Sequence, residues 1–184
     1  MKPFSLLRFG ADRRGAVHIE MALALPVMIT LLVAAVETVN YVLVHQKLER
    51  TSATLSDLVS QSPRMTEGLM TSLFAAVEPV MQPYELIAGG NVVVSSISAN
   101  GAAAPRINWQ RSIGNGPNNS EFGAQGAAAT LPAGFIVRDG DNVIACEAWF
   151  PYQPLLLPSL IPAGTLYRSS LFRPRFGKLD TIAP

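Results

Sequence analysis

The chain is poor in the residues on which most chemistry depends: one cysteine, two histidines, and Asp, Glu, Lys and Arg making up only 15% of its 184 residues. A lone cysteine, Cys146, excludes an internal disulfide, so any folded part must be held by packing. Within Val143-Ile144-Ala145-Cys146 it reads as a small buried apolar residue. The net charge of +1 excludes the strongly basic surface of a nucleic-acid binder. No paired-cysteine spacing, G-x-S-x-G, P-loop or H-E-x-x-H pattern occurs, so catalysis, a metal, a cofactor and a small-molecule substrate are not expected. Asp139-Gly140-Asp141 lacks the further ligands of a calcium loop and reads as a turn.

One stretch also lacks charge altogether. Met21–Val36 carries no charged residue and is preceded by Arg8, Arg13 and Arg14, with Lys2 further upstream and Asp12 the only acid among residues 1–14. As a helix these residues rise about 24 Å, and extension toward Val44 is ample for a hydrocarbon core of about 30 Å. The reading is a single membrane-spanning helix. The basic flank keeps the N-terminus cytoplasmic and sends everything after Tyr41 across the membrane. His18 and His45 then lie on opposite sides and cannot share a metal or a proton.

Beyond the span, Val44, Leu48, Leu55 and Leu58/Val59 continue a one-sided helical stripe. A continuous rod to about residue 62, ended by Pro63, is favoured over a span followed by a separate helix. Pro26 predicts local loosening near Ala22–Pro26. The division is therefore 1–15 a basic leader, 16–62 the extended helix, and 63–184 an α+β domain. In that domain a second helix is expected over Met65–Val77, with Met65, Leu69, Leu73 and Ala76/Val77 inward and Pro79 and Pro83 closing it. Asn91–Ile97 and Ile107–Gln110 should pair as strands, Gly114 to Gly134 should form a surface excursion of low order, and Asn142–Phe150 and Thr165–Phe172 should add to a small, mainly antiparallel sheet. The prolines of Pro151–Pro158 argue against a central strand, and the leucines between them need cover.

Two carboxylates bracket the span. Glu20 stands at its cytoplasmic edge and Glu37 at the other, seventeen residues away. A carboxylate within a bilayer usually faces a partner. Glu20 is a candidate for an intermolecular ion pair or an interfacial charge; Glu37 is assigned to the bilayer edge with no mechanism.

Arg13-Arg14-Gly15, Glu20, Ala22-Leu23 and Leu25-Pro26 resemble the opening of TadE/TadG-like pilus assembly proteins, with the glycine-to-glutamate spacing of a type IV prepilin leader. Arg106-Ile107-Asn108-Trp109, Leu131-Pro132-Ala133-Gly134, Val143–Leu155 and Arg173-Pro174-Arg175 resemble that family's landmarks further on. The resemblance implies a pilin-like, pseudopilin component of the tight-adherence (Flp-type) pilus. It would sit in the bacterial inner membrane with a periplasmic domain, among other pilin-like subunits, the major pilin and the assembly platform. It further implies cleavage between Gly15 and Ala16 by a prepilin peptidase, after which the Ala16 amine of one subunit would meet Glu20 of its neighbour and set helix register. Met21 departs from the aromatic usual there, and an uncleaved anchor stays open. The competing expectation is a secreted α+β domain released after Val33-Ala34-Ala35 by an ordinary signal peptidase.

Overall fold

A computed structural model describes residues 15–101 and 103–184; Arg8, Arg13 and Arg14 lie outside the described residues. Helix α1 (Ala16–Ser60) runs unbroken for 45 residues and through Pro26, the continuous rod expected from its apolar stripe. Its two halves differ. From Ala16 to Leu32 every residue is exposed, valines, leucines, isoleucines and methionines included, and only Val33 and Ala34 are partly covered before Val36 is exposed again. Further along, Val44, Leu48, Leu55 and Val59 are buried, spaced so that one face meets the domain. Each such burial contributes about 1.5–3 kcal/mol. Ser52 and Ser56 share that face, and their small side chains let strand backbone come close. The Ser170 hydroxyl donates to the Ser52 carbonyl at 2.7 Å.

After α1 come β1 (Met65–Thr66), α2 (Glu67–Phe74), α3 (Val77–Met81) and α4 (Leu86–Gly89). The strands β2 (Asn91–Ser98), β3 (Arg106–Gly114), β4 (Asn142–Tyr152) and β5 (Gly164–Phe172) follow, and β6 (Ile182–Ala183) closes the chain. The main sheet is antiparallel in the order β3-β2-β4-β5; β1 and β6 form a separate parallel pair. The α+β class and the expected pairing of Asn91–Ile97 with Ile107–Gln110 hold, and Asn142–Phe150 and Thr165–Phe172 add to the same sheet as expected.

Side chains alternate across this sheet. Val92, Val94, Trp109, Ile144, Cys146, Ala148, Tyr152 and Leu166 join the core on the α1 side. The opposite face carries Ala145, which packs with Ile107 and Phe122, and Val143, which packs with Val137.

Four expectations change. The second helix does not begin at Met65, which pairs in β1 with Ile182. Thr66 caps α2 by accepting from the Leu69 amide at 3.2 Å, so the helical phase starts at Glu67 and buries Met70, Phe74, Val77 and Met81 in two pieces. Pro79 lies within α3 rather than closing a helix, in the first turn where proline is tolerated. The segment 114–134 is not a loose excursion: its few large side chains, Phe122 buried and Leu131 partly so, help cover the second face of the sheet. Finally, β4 extends through Pro151 to Tyr152, where β5 alone borders it, so the missing proline N–H costs no bond to β2.

Candidate functional site

The most concentrated polar arrangement lies where α1 passes from its bare half into the domain. Glu37 has no exposed surface. Its carboxylate accepts from the Tyr152 hydroxyl at 2.6 Å and from three successive amides, Leu155 at 3.0 Å, Leu156 at 2.7 Å and Leu157 at 3.3 Å. Consecutive N–H groups converging on one anion form a nest that compensates for lost water. One turn on, the Tyr84 hydroxyl donates to Asn40 Oδ1 at 2.7 Å, and the Asn40 amide reaches the Tyr152 oxygen at 3.5 Å. Tyr41 stacks edge-on against both Tyr152 and His45, with ring centroids 5.1 and 4.4 Å away. Burial, then the Glu37 carboxylate, push the Tyr152 phenol up to about 12, so it remains a donor. Burial and the Arg168 charge hold His45 below the ordinary imidazole value.

This collar ties helix, sheet and the β4–β5 loop together at one level. Its acid accepts four hydrogen bonds, which join the three elements. Sequence reasoning left Glu37 without a role. The signal was a carboxylate closing an apolar run; its partners, 115 to 120 residues downstream, were not readable.

A second buried acid, Glu147 on β4, fastens the covering segment. It accepts from the Glu121 amide at 2.8 Å, the Tyr167 hydroxyl at 2.9 Å and the Ser120 hydroxyl. Burial raises its pKa, only partly offset by those donors. Burial also raises that of the neighbouring Cys146 thiol, leaving it an inert core residue. A polar groove of about 650 Å³ runs beside Asn91, Gln110, Asn118 and Ser120. Its one cation, Arg111, is already paired with Glu67. No cluster of metal-ligating side chains occurs among the described residues.

The expected processing residues stand at the opposite end of α1. Gly15 occupies the N-cap position with open space around it, Ala16 begins the helix, and both are exposed. Glu20 is also exposed and makes no ion pair among the described residues. Glu20 and Glu37 are separated by about 25 Å of helix and form no common site.

A family model, TadE-like protein, matches residues 15–54. The match starts at the N-cap glycine, takes in all of the bare half of α1 and the helix's own share of the collar, Glu37, Asn40, Tyr41 and His45, and ends within the buried half. It agrees with the TadE/TadG-like resemblance of the opening motif. No curated protein and no solved structure matches the chain significantly. The TadE-like segment is thus one helix with two environments. Its first half is long and apolar enough to cross a membrane, as a single-pass anchor requires.

Proposed function

We propose that the protein is a membrane-anchored, non-catalytic, pilin-like component of tight-adherence (Flp-type) pilus assembly. The observation that carries this reading is the division of one helix within the TadE-like match. Twenty or so residues of bare apolar surface continue, without a hinge, into the core of an α+β domain. Movement of such an anchor is transmitted directly to its domain.

In this reading the arginines 8, 13 and 14 hold the N-terminus in the cytoplasm, and the domain faces the periplasm from the inner membrane. The partners are pilin-like subunits, the major pilin and the assembly platform. Exposure at Gly15–Ala16 leaves that bond accessible to a prepilin peptidase. Glu20, one turn into the helix and in no ion pair among the described residues, is available to a neighbour's freed amine.

The competing reading, a secreted domain cut after Ala35, is favoured by one feature: the domain's buried contacts with α1 begin at Glu37, so that cut would leave them intact. The mass of the mature protein separates the two. The proposal expects a membrane-bound chain beginning at Ala16, or at Met1 if it remains an uncleaved anchor. A dissolved chain beginning near Val36 would overturn it.

A further inference from the structure

Between Tyr152 and Gly164 the chain makes a loop, residues 153–163, with no charged side chain and with prolines at 154, 158 and 162. Leu155, Leu156 and Leu160 are 66%, 53% and 51% exposed. Single exposed leucines are ordinary, but three on one uncharged loop form a patch that asks for an apolar occupant. The backbone of the same loop is fixed: the amides of Leu155, Leu156 and Leu157 hold the Glu37 carboxylate. The patch is therefore pinned to one level of α1.

That level has a physical meaning. From Val17 to Val36 the bare helix rises about 29 Å, the thickness of a hydrocarbon core. A bilayer matched to it ends at Glu37, beside the leucines. Val36, Val39, Val42 and Leu43 are also exposed around the helix there, so the apolar surface continues from α1 onto the loop. The prolines bring no N–H groups to be stranded as water is lost.

We propose that residues 153–163 form a lipid-interface loop. Leu155, Leu156 and Leu160 enter the boundary between headgroups and acyl chains of the leaflet from which α1 emerges. This rests on the membrane-anchored reading above. The occupant is phospholipid and the contact is apolar, since the loop has no cation to recognise a headgroup. Its consequence is positional: α1 and the loop make two points of attachment, which fix the rotation and height of the domain. The Glu37 nest is the joint between them.

The test uses the full-length chain reconstituted in phosphatidylcholine vesicles, with an environment-sensitive fluorophore on one introduced cysteine at a time. The buried Cys146 remains unlabelled. Leu156→Cys probes the loop and Leu31→Cys the bare helix. Phe176→Cys probes an exposed residue next to Arg175, whose amide binds the Ser60 carbonyl at the distal end of α1. Lipids brominated high on the acyl chain should quench the Leu156 probe about twofold while aqueous iodide barely reaches it, and the Phe176 probe should behave the opposite way. Lipid quenching at Leu31 with iodide quenching at Leu156 would overturn the loop proposal and leave the anchor standing. Shielding of the Leu156 probe from both quenchers would also overturn it, because a protein surface would then cover the loop. Absence of lipid quenching at Leu31 would remove the anchored reading itself, and the loop proposal with it.

Discussion

Replacing Asn142 by alanine should loosen the C-terminal tail and destabilise the whole domain. Asn142 is buried at the start of β4 and accepts from the Leu179 amide at 3.0 Å. Its own amide donates to the Ser96 hydroxyl at 2.8 Å and the Ile97 carbonyl at 3.2 Å. The Leu179 carbonyl in turn accepts from Ser96 at 2.7 Å and from the Trp109 indole at 2.8 Å. Asn142→Ala strands the Leu179 amide in a dry site, costing about 1–3 kcal/mol, and forfeits two further bonds worth about 0.5–1.5 kcal/mol each. A total near 3 kcal/mol lowers the folding equilibrium about a hundredfold. With a urea dependence of about 2 kcal/mol per molar, the unfolding midpoint should fall by about 1.5 M. Tryptophan emission of the detergent-solubilised full chain reports it, since Trp109 belongs to the clasp. An unchanged midpoint, together with undiminished exchange protection of the Leu179 amide, would refute the reasoning.

Phe122→Ala should detach the segment covering the second sheet face, costing about 3–5 kcal/mol and opening residues 115–135 to limited proteolysis. Glu147 has a raised pKa in the folded state, so its contribution to stability is fully present below its ordinary 4.5 and is lost as pH rises through the folded value. Glu147→Gln should therefore flatten that part of the stability–pH curve, and thermal melts between pH 4 and 8 check it. Glu20→Ala should insert in membranes normally yet impair pilus assembly; normal pilus output at normal protein levels would remove the register role.

The features legible in advance were those carried by local periodicity. Val44, Leu48, Leu55 and Val59 announced one face of a rod because burial there repeats every few residues, and Asn91–Ile97, buried throughout, announced a strand by its β-branched apolar run. Between Met65 and Met81 two stripes one residue apart competed, and the Thr66 cap decided for Met70 and Phe74. What periodicity could not reveal was long-range polar pairing. Glu37 meets Tyr152 and a leucine loop, Glu147 meets Ser120 and Tyr167, and Leu179 meets Asn142 and Trp109, each across tens of residues of unpatterned chain. The covering segment was misread for a related reason. It is mostly Gly, Ala and Asn, and its grip on the sheet depends on Phe122 and on backbone groups that composition does not display.

The account stands on α1 crossing a membrane with the domain beyond it. Labelling Phe176→Cys with a membrane-impermeant maleimide in intact spheroplasts, then extracting the membranes with alkaline carbonate, tests both halves of that statement at once. Labelling before lysis with the chain retained in the carbonate pellet is the predicted result. Release of the chain by carbonate, or labelling only after lysis, would contradict it.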